Sequence, residues 1–361
     1  MGHEVDFLRV GEGEKCGDAI ALRFGDLKNG TRSDQVVVVI DGGFKDTGEA
    51  LVTHIKTHYR TDKVDLVISS HPDADHTSGL EVVLEELRVD ALWMHRPWKH
   101  TEDMAWLFKD GRVTDTSVRE DLRKSLENAA SLEALATRKR IPITEPFAGL
   151  RDSTQHIFVV GPTQAFYESL LPSFRGTPEP KADLAILLKA LAGVRELVQR
   201  VAERWDYETL DDEGETTAEN NSSTIIIAVV DEKHLMFTAD GGILALTDVA
   251  SRLEAARYEF SALSFVQVPH HGSRRNVGPS ILNRILGPKL QHDLKLRTAF
   301  VSIPKDPSAK HPSKKVTNAF RRRGAYIYPT TEYCLWHRFE APDREGFSDA
   351  TPLGFFDEVE D

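Results

Sequence analysis

Two cysteines, Cys16 and Cys334, are all that the 361 residues contain. They are too few and too far apart for a disulfide framework or a cysteine-based zinc ribbon, so any metal must be held by histidine and carboxylate. No apolar run approaches the ~18 residues of a membrane span. The start, Met1-Gly2-His3-Glu4-Val5-Asp6, has neither the basic residues nor the apolar stretch of a secretory leader. A cytoplasmic protein with no membrane partner is therefore expected. Hydrophobic residues reach 40%, enough to bury a large core in one elaborated domain or two ordinary ones. The net charge of −12 argues against a nonspecific nucleic-acid coat. That average conceals an asymmetry, because residues 270–323 hold 13 Lys and Arg against only Asp293 and Asp306. A basic C-terminal third can serve an anionic substrate even in an acidic protein.

The densest chemistry lies in His71-Pro72-Asp73-Ala74-Asp75-His76, directly after the apolar run of residues 64–70. Four potential ligands fall within six residues at the end of an expected strand. Imidazole with carboxylate is the donor set that borderline-to-hard divalent metals prefer. A polar helix cap, with Asp75 or Thr77 near the N-cap, would explain one or two of these side chains but not all four.

Short strands are expected at 5–10, 19–24 and 36–40, the last ending in Asp41-Gly42-Gly43. Helices are expected at 48–59 and 79–87. From 100 to 219 helical periodicity dominates. Ser117-Val118-Arg119-Glu120 reads as a capping box opening one amphipathic helix to about residue 137, and 181–205 reads as a second long helix. Between them 155–161 reads as a strand. Residues 206–219 carry seven acids and few apolar side chains, the composition of a mobile loop. Strands resume at 224–230, at 235–239 before Asp240-Gly241-Gly242, and at 265–268 before Pro269-His270-His271-Gly272-Ser273. Two more, at 299–303 and 325–328, flank His311-Pro312-Ser313. Strands that repeatedly end in site-type residues are the habit of layered α/β proteins.

Taken in order, these pieces resemble the metallo-β-lactamase fold superfamily, and within it the hydrolase domain of the DNA-uptake protein ComEC and its stand-alone relatives. The resemblance rests on Phe7-Leu8-Arg9-Val10-Gly11-Glu12-Gly13 with Asp18, Ile40-Asp41-Gly42-Gly43, His71 to His76, Asn220-Asn221-Ser222-Ser223, Phe237-Thr238-Ala239-Asp240, and Val268-Pro269-His270-His271-Gly272-Ser273. His311-Pro312-Ser313 extends it. It covers most of the chain and leaves out most of 100–219. It implies an α/β chain folded as one metallo-β-lactamase αββα sandwich over 1–361, with 100–219 a mostly helical elaboration carrying at least one core strand. Two divalent metals are implied at the sheet edge, zinc and/or manganese, with magnesium a further candidate.

Carried over by position, His71 and Asp73 would bind one metal, Asp75 and His76 the second, Asp240 would bridge, and His270 would complete the second site. His271 is the alternative to His270, since neighbours on an extended segment point in opposite directions. Asp41 stands where the superfamily places a carboxylate that orients a ligand histidine. Where the superfamily supplies one more histidine, this chain has Asn220 and Asn221. An oxygen-rich first site would follow, shifting preference from zinc toward manganese or magnesium, or leaving that site empty until substrate arrives.

Two cations sharing a water would turn it into hydroxide near neutral pH and offset charge on the attacked group. A phosphodiester suits this chemistry; a thioester or lactam would also react. Positive charge next to the motifs narrows the choice. Arg274, Ser273, Lys310 and Lys314 are candidate substrate contacts, with Arg able to grip phosphate in bidentate fashion. Asp75 and His311 are candidate catalytic residues, His311 to protonate the leaving oxygen or hold a phosphate. The expectation is a phosphodiester hydrolase, foremost a nuclease, whose partner is nucleic acid or a nucleotide. A hydrolase of a small phosphorylated or cyclic-nucleotide ligand and a partly metallated binding module are the alternatives. The helical block stays open as lid, protein-docking surface or homo-oligomer interface.

Overall fold

A computed structural model of the chain describes residues 1–11, 15–181, 200–304, 311–330 and 334–360. In chain order its main elements begin with β1 (Gly2–Phe7), β2 (Ala19–Gly25), β3 (Gln35–Gly42), α1 (Lys45–His54), β4 (Leu66–Ser69), α2 (Ala74–Glu86) and β5 (Leu92–Met94). Then come α3 (Asp115–Ser125), α4 (Glu127–Lys139), β6 (Ile143–Thr144), β7 (Ile157–Gly161), α5 (Gln164–Leu170) and the single turn α6 (Ala218–Asn221). The last part comprises β8 (Ile225–Val230), β9 (Lys233–Phe237), α7 (Ile243–Ala255), β10 (Leu263–Gln267), α8 (Pro279–Leu286), β11 (Arg297–Val301), α9 (Lys314–Arg322), β12 (Ala325–Pro329) and β13 (Leu335–Phe339).

The strands form two large sheets, ordered β13-β1-β2-β3-β4-β5-β6 and β12-β11-β10-β9-β8-β7. Alternating side chains give each sheet two apolar faces. Val38, Ile40 and Ile68 of the first sheet meet Ile226, Phe237 and Phe265 of the second in a shared inner core. Val37, Val39 and Val67 point the other way and are covered by α1, α2, α3 and α4. Met236, Val266 and Ala299 are covered by α7, α8 and α9. The layers therefore run helix, sheet, sheet, helix, the αββα order that the resemblance implies.

Both sheets share one construction. In the first, the antiparallel pair β2 and β3 leads into parallel β4, β5 and β6. In the second, antiparallel β8 and β9 lead into parallel β10, β11 and β12. Loops after β4, β9 and β10 meet at one edge, where Thr224 N donates to Ser70 O at 2.8 Å across the two sheets. Close backbone approach sets that edge. A Cβ on Gly79 of α2 would fall 1.9 Å from Gly42 O, which is why α2 can lie against the end of β3.

Several expectations need correction. The helix expected at 79–87 begins five residues earlier, with extended Asp73 as its N-cap, so Asp75 and His76 sit in its first turn. The helix expected from 117 to about 137 is two helices broken at buried Leu126. Its cap is Thr114, not Ser117: Ser117 N donates to Thr114 Oγ1, and Ser117 Oγ accepts from Thr114 N. Strand β13, unforeseen, pairs with β1. Of the helix expected at 181–205, residues 182–199 lie outside the described residues, and Arg200–Ala202 is a strand paired with Glu358–Glu360. The acidic stretch 206–219 is tied down rather than loose. Asp212 accepts from Ser280 at the start of α8, and Glu208 pairs with Arg323 at 2.7 Å. Much of the basic C-terminal third is spent the same way, Arg322 on Glu203 and Arg321 on Asp293.

Alanine is the better helix former, yet Gly79→Ala is expected to cost about 1–3 kcal/mol because its methyl would meet backbone that cannot yield. A lowered thermal midpoint with weakened metal binding checks this; an unchanged midpoint would contradict the contact.

Candidate metal centre

Four imidazoles converge on Asp240, and each is anchored through Nδ1. His76 Nδ1 donates to Asp41 Oδ2 at 2.8 Å. Ser70 Oγ spends its proton on Asp41 Oδ2 at 2.6 Å and so accepts from His71 Nδ1 at 2.9 Å. His271 Nδ1 donates to the carbonyl of Ser302 at 3.2 Å. Asn276 donates through Nδ2 to Asp240 O, which turns its Oδ1 to His270 Nδ1 at 2.9 Å. Outward Nδ1–H bonds leave every Nε2 lone pair facing inward, the arrangement that ligand histidines adopt.

The inner atoms are left for a guest. Nε2 of His71, His76 and His270 stand 3.7, 3.6 and 3.7 Å from Asp240 Oδ2. His71 Nε2, His76 Nε2 and Asp240 Oδ1 are buried with no hydrogen-bond partner among the described residues. Buried polar atoms are rarely left so, since each costs its full desolvation. Donor atoms of Asp75, His76 and His271 lie within 4.8 Å of one another, as do those of Asp240, His270 and His271, and those of Asp18, His76 and Asp240. Asp73 Oδ2 lies 3.7 Å from His71 Nε2. The donors therefore divide into a first half-site around His71 and Asp73 and a second around Asp75, His76 and His271, with Asp240 between.

The backbone explains how two successive histidines both turn inward. His270, His271 and Gly272 have φ of 45°, 57° and 79°, a left-handed turn after β10 rather than the extended segment expected. Non-glycine residues there cost about 1–3 kcal/mol each. The alternation that forced a choice between them does not apply. His271 groups with Asp75 and His76, while His270 flanks Asp240, with Asn220 Nδ2 3.1 Å from its Nδ1.

Electrostatics fit a cation-shaped gap. Burial disfavours charge on His76, but Asp240, Asp41 and Asp75 outweigh it and hold its pKa well above the ordinary value. Burial likewise opposes the Asp240 carboxylate, yet His270 and His76 hold it well below the usual range. His271 is pushed down to about 3 by burial, with the neighbouring imidazoles adding to the effect against the pull of Asp240. Asp75 is raised, chiefly by burial.

Asp18 belongs to this centre although only its motif, not its role, stood out in the sequence. Burial lifts it to about 7. It accepts from Gln267 Nε2 at 2.8 Å and from Ser302 Oγ. Gln267 in turn receives the amides of Thr238 and Ala239 at 3.0 Å, fixing the turn that presents Asp240.

The remaining sequence candidates scatter. Ser273 Oγ accepts from Arg275 N, within the histidine turn that also carries Arg274. His311 lies beside that turn, where Ser313 N donates to Gly272 O at 3.0 Å and His311 adds to the charge felt by His271. Lys314 points its ammonium over the ring of Phe356, 5.4 Å away, while Lys310 lies outside the described residues. In their place the helical block supplies Arg175, whose Nη1 is 2.7 Å from Asp73 Oδ1.

Asp41→Ala removes the anchors of His76 and Ser70 together. Metal affinity is expected to fall roughly 10–100-fold, read by competition with a chromogenic chelator; undiminished affinity would contradict that dependence. Because His71 and His76 have raised pKa values, metal uptake at neutral pH should release protons and tighten as pH rises. Calorimetry in buffers of different ionisation enthalpy measures that release.

No protein-family model matches the chain, and no curated protein does. Among solved structures it is similar to a mutant of the CmlA beta-hydroxylase, at 11% identity and TM-score 0.40 over 92% of this chain and 54% of that one. It thus spans about half the length of that protein. It is also similar to the metallo-beta-lactamase SMB-1 bound to 2-mercaptoethanesulfonate, at 9% identity and TM-score 0.29 over 78% of this chain and 86% of that one. Likeness this distant assigns no activity. The chain is an α/β protein whose own αββα layers and strand-end histidine–carboxylate centre match what the metallo-β-lactamase resemblance implies.

Proposed function

We propose that the chain is a metal-dependent hydrolase of phosphodiester bonds, with nucleic acid as its substrate. One observation carries this: four imidazoles, each anchored through Nδ1, gather on a buried carboxylate at the sheet edge, with Nε2 of His71 and of His76 buried and unpartnered among the described residues. Divalent cations bound there would supply an acidified water and offset charge developing on a phosphoryl group.

The protein's own groups have separable tasks. Asp240 joins the half-sites, with Asp73 on one flank and Asp75 on the other. With His271 grouped beside Asp75 and His76, His270, 3.7 Å from Asp240 Oδ2, would serve the first half-site rather than the second and give each half-site two imidazoles. That set suits zinc or manganese better than magnesium, and the first site is less oxygen-rich than the missing histidine suggested. To His311, beside the histidine turn, we assign the proton given to the leaving oxygen. Ser273 and Arg274 on that turn, and Arg175 opposite, are the groups to hold phosphoryl oxygens. A guanidinium at the rim favours a phosphate diester over a lactam or thioester, neither of which brings a charged oxygen to the reacting centre.

Manganese- or zinc-loaded protein should cleave DNA, RNA or bis(4-nitrophenyl) phosphate and leave a chromogenic β-lactam intact. His76→Ala and Asp240→Ala should each lower turnover roughly 100-fold or more. Turnover confined to cyclic dinucleotides would make it a small-ligand enzyme. Protein that takes up no metal would be a binding module instead.

A further inference from the structure

The first half-site already holds a positive charge. Asp73 divides its two oxygens: Oδ2 faces His71 Nε2 at 3.7 Å, inside the centre, and Oδ1 faces Arg175 Nη1 at 2.7 Å, on the outside. Asp75, the matching carboxylate of the second half-site, has no Lys or Arg paired with it among the described residues. Of the two flanking carboxylates, Asp73 is thus the one with a guanidinium against it.

Arg175 is aimed by its backbone. It follows α5 at the edge of the helical block, where Ser125 Oγ donates to Arg175 O at 2.8 Å and Arg175 N donates to Glu219 Oε1 at 2.6 Å. Gly176 lies at φ +86°, and a Cβ there would stand 2.3 Å from Ser125 Oγ, so the chain turns tightly against α3. Glu219 is the neighbour of Asn220, which touches His270. The same clamp that fixes Arg175 thus reaches the far wall of the centre. The Arg175 side chain itself is 46% exposed. The pair is a charge contact, since Asp73 Oδ1 has no hydrogen-bond partner among the described residues, and with Arg175 half exposed such a contact is weak and easily exchanged. Arg175 Nε donates to Ser125 O at 3.4 Å, which leaves the Nη groups for a second oxygen anion.

We propose that Arg175 is a stand-in cation for the first half-site: its guanidinium holds Asp73 until an anionic phosphoryl oxygen of the substrate takes it over and frees Asp73 for a divalent metal. The hand-over rests on the phosphodiester function proposed above; the occupation of Asp73 does not. It gives the helical block a task, delivering the residue that couples loading of one metal to arrival of substrate. Until then a dication at the first half-site must sit beside a fixed positive charge and share its carboxylate, so that site is the weaker one.

Metal-stripped full-length protein is titrated calorimetrically with manganese, with and without dimethyl phosphate as a non-precipitating diester anion. Wild type should bind one tight and one weak equivalent, and dimethyl phosphate should tighten the weak one. Arg175→Ala should tighten the weak equivalent roughly tenfold without the anion and lose the anion's effect. Arg175→Lys, which keeps the charge, should leave it weak. A weak equivalent unchanged in Arg175→Ala, at a wild-type thermal midpoint, would overturn the proposal. So would a wild-type protein indifferent to dimethyl phosphate, or an Arg175→Ala protein that responds as wild type does. Should nucleic acid go uncut, the function proposed above fails, while the Arg175→Ala titration without anion still decides whether the guanidinium holds the site.

Discussion

Asp41 is the hinge on which the centre turns. Its carboxylate, buried at the end of β3 in a left-handed conformation, takes the Ser70 amide on one oxygen and the Ser70 hydroxyl and His76 imidazole on the other. Through the hydroxyl it also sets His71. One side chain thereby fixes the tautomer and direction of two imidazoles drawn from different elements, and it does so without facing the centre's interior. Such buried charge is tolerable only because every donor it needs is at hand.

The second sheet repeats the scheme by other means. Asp240-Gly241-Gly242 follows β9 much as Asp41-Gly42-Gly43 ends β3, but here the carboxylate faces inward and backbone strain does the aiming. Three successive left-handed residues place His270 and His271, with Asn276 and Ser302 behind them. The first half of the chain orients its histidines with a charge, the second with a turn.

How much of this could be read beforehand follows from how local each signal is. The cluster from His71 to His76 was legible because a strand end and a helix start bring its donor-type side chains together within one turn of chain. The layer order was legible because apolar strands, glycine turns and helices alternate. Whether His270 or His271 faced inward was not, since the answer depends on a left-handed turn that composition does not announce. Arg175 carried no mark, because its partner Asp73 is about a hundred residues away. The basic C-terminal third misled for the converse reason: Glu203 and Glu208, remote in sequence, absorb Arg322 and Arg323 and leave less positive charge for a substrate than the count suggests.

The donors come from both sheets, His71, Asp73, Asp75 and His76 from the first and Asp240, His270 and His271 from the second. Between them lies the inner core on which the sandwich closes. A cation gripped from both sides would act as a rivet through that seam, and the free energy that retains it would count toward holding the molecule shut. Stripped of metal, the centre would keep its buried, unanswered nitrogens and push the sheets toward parting. The protein's lifetime would then depend on the metal supply around it, quite apart from any bond it cleaves.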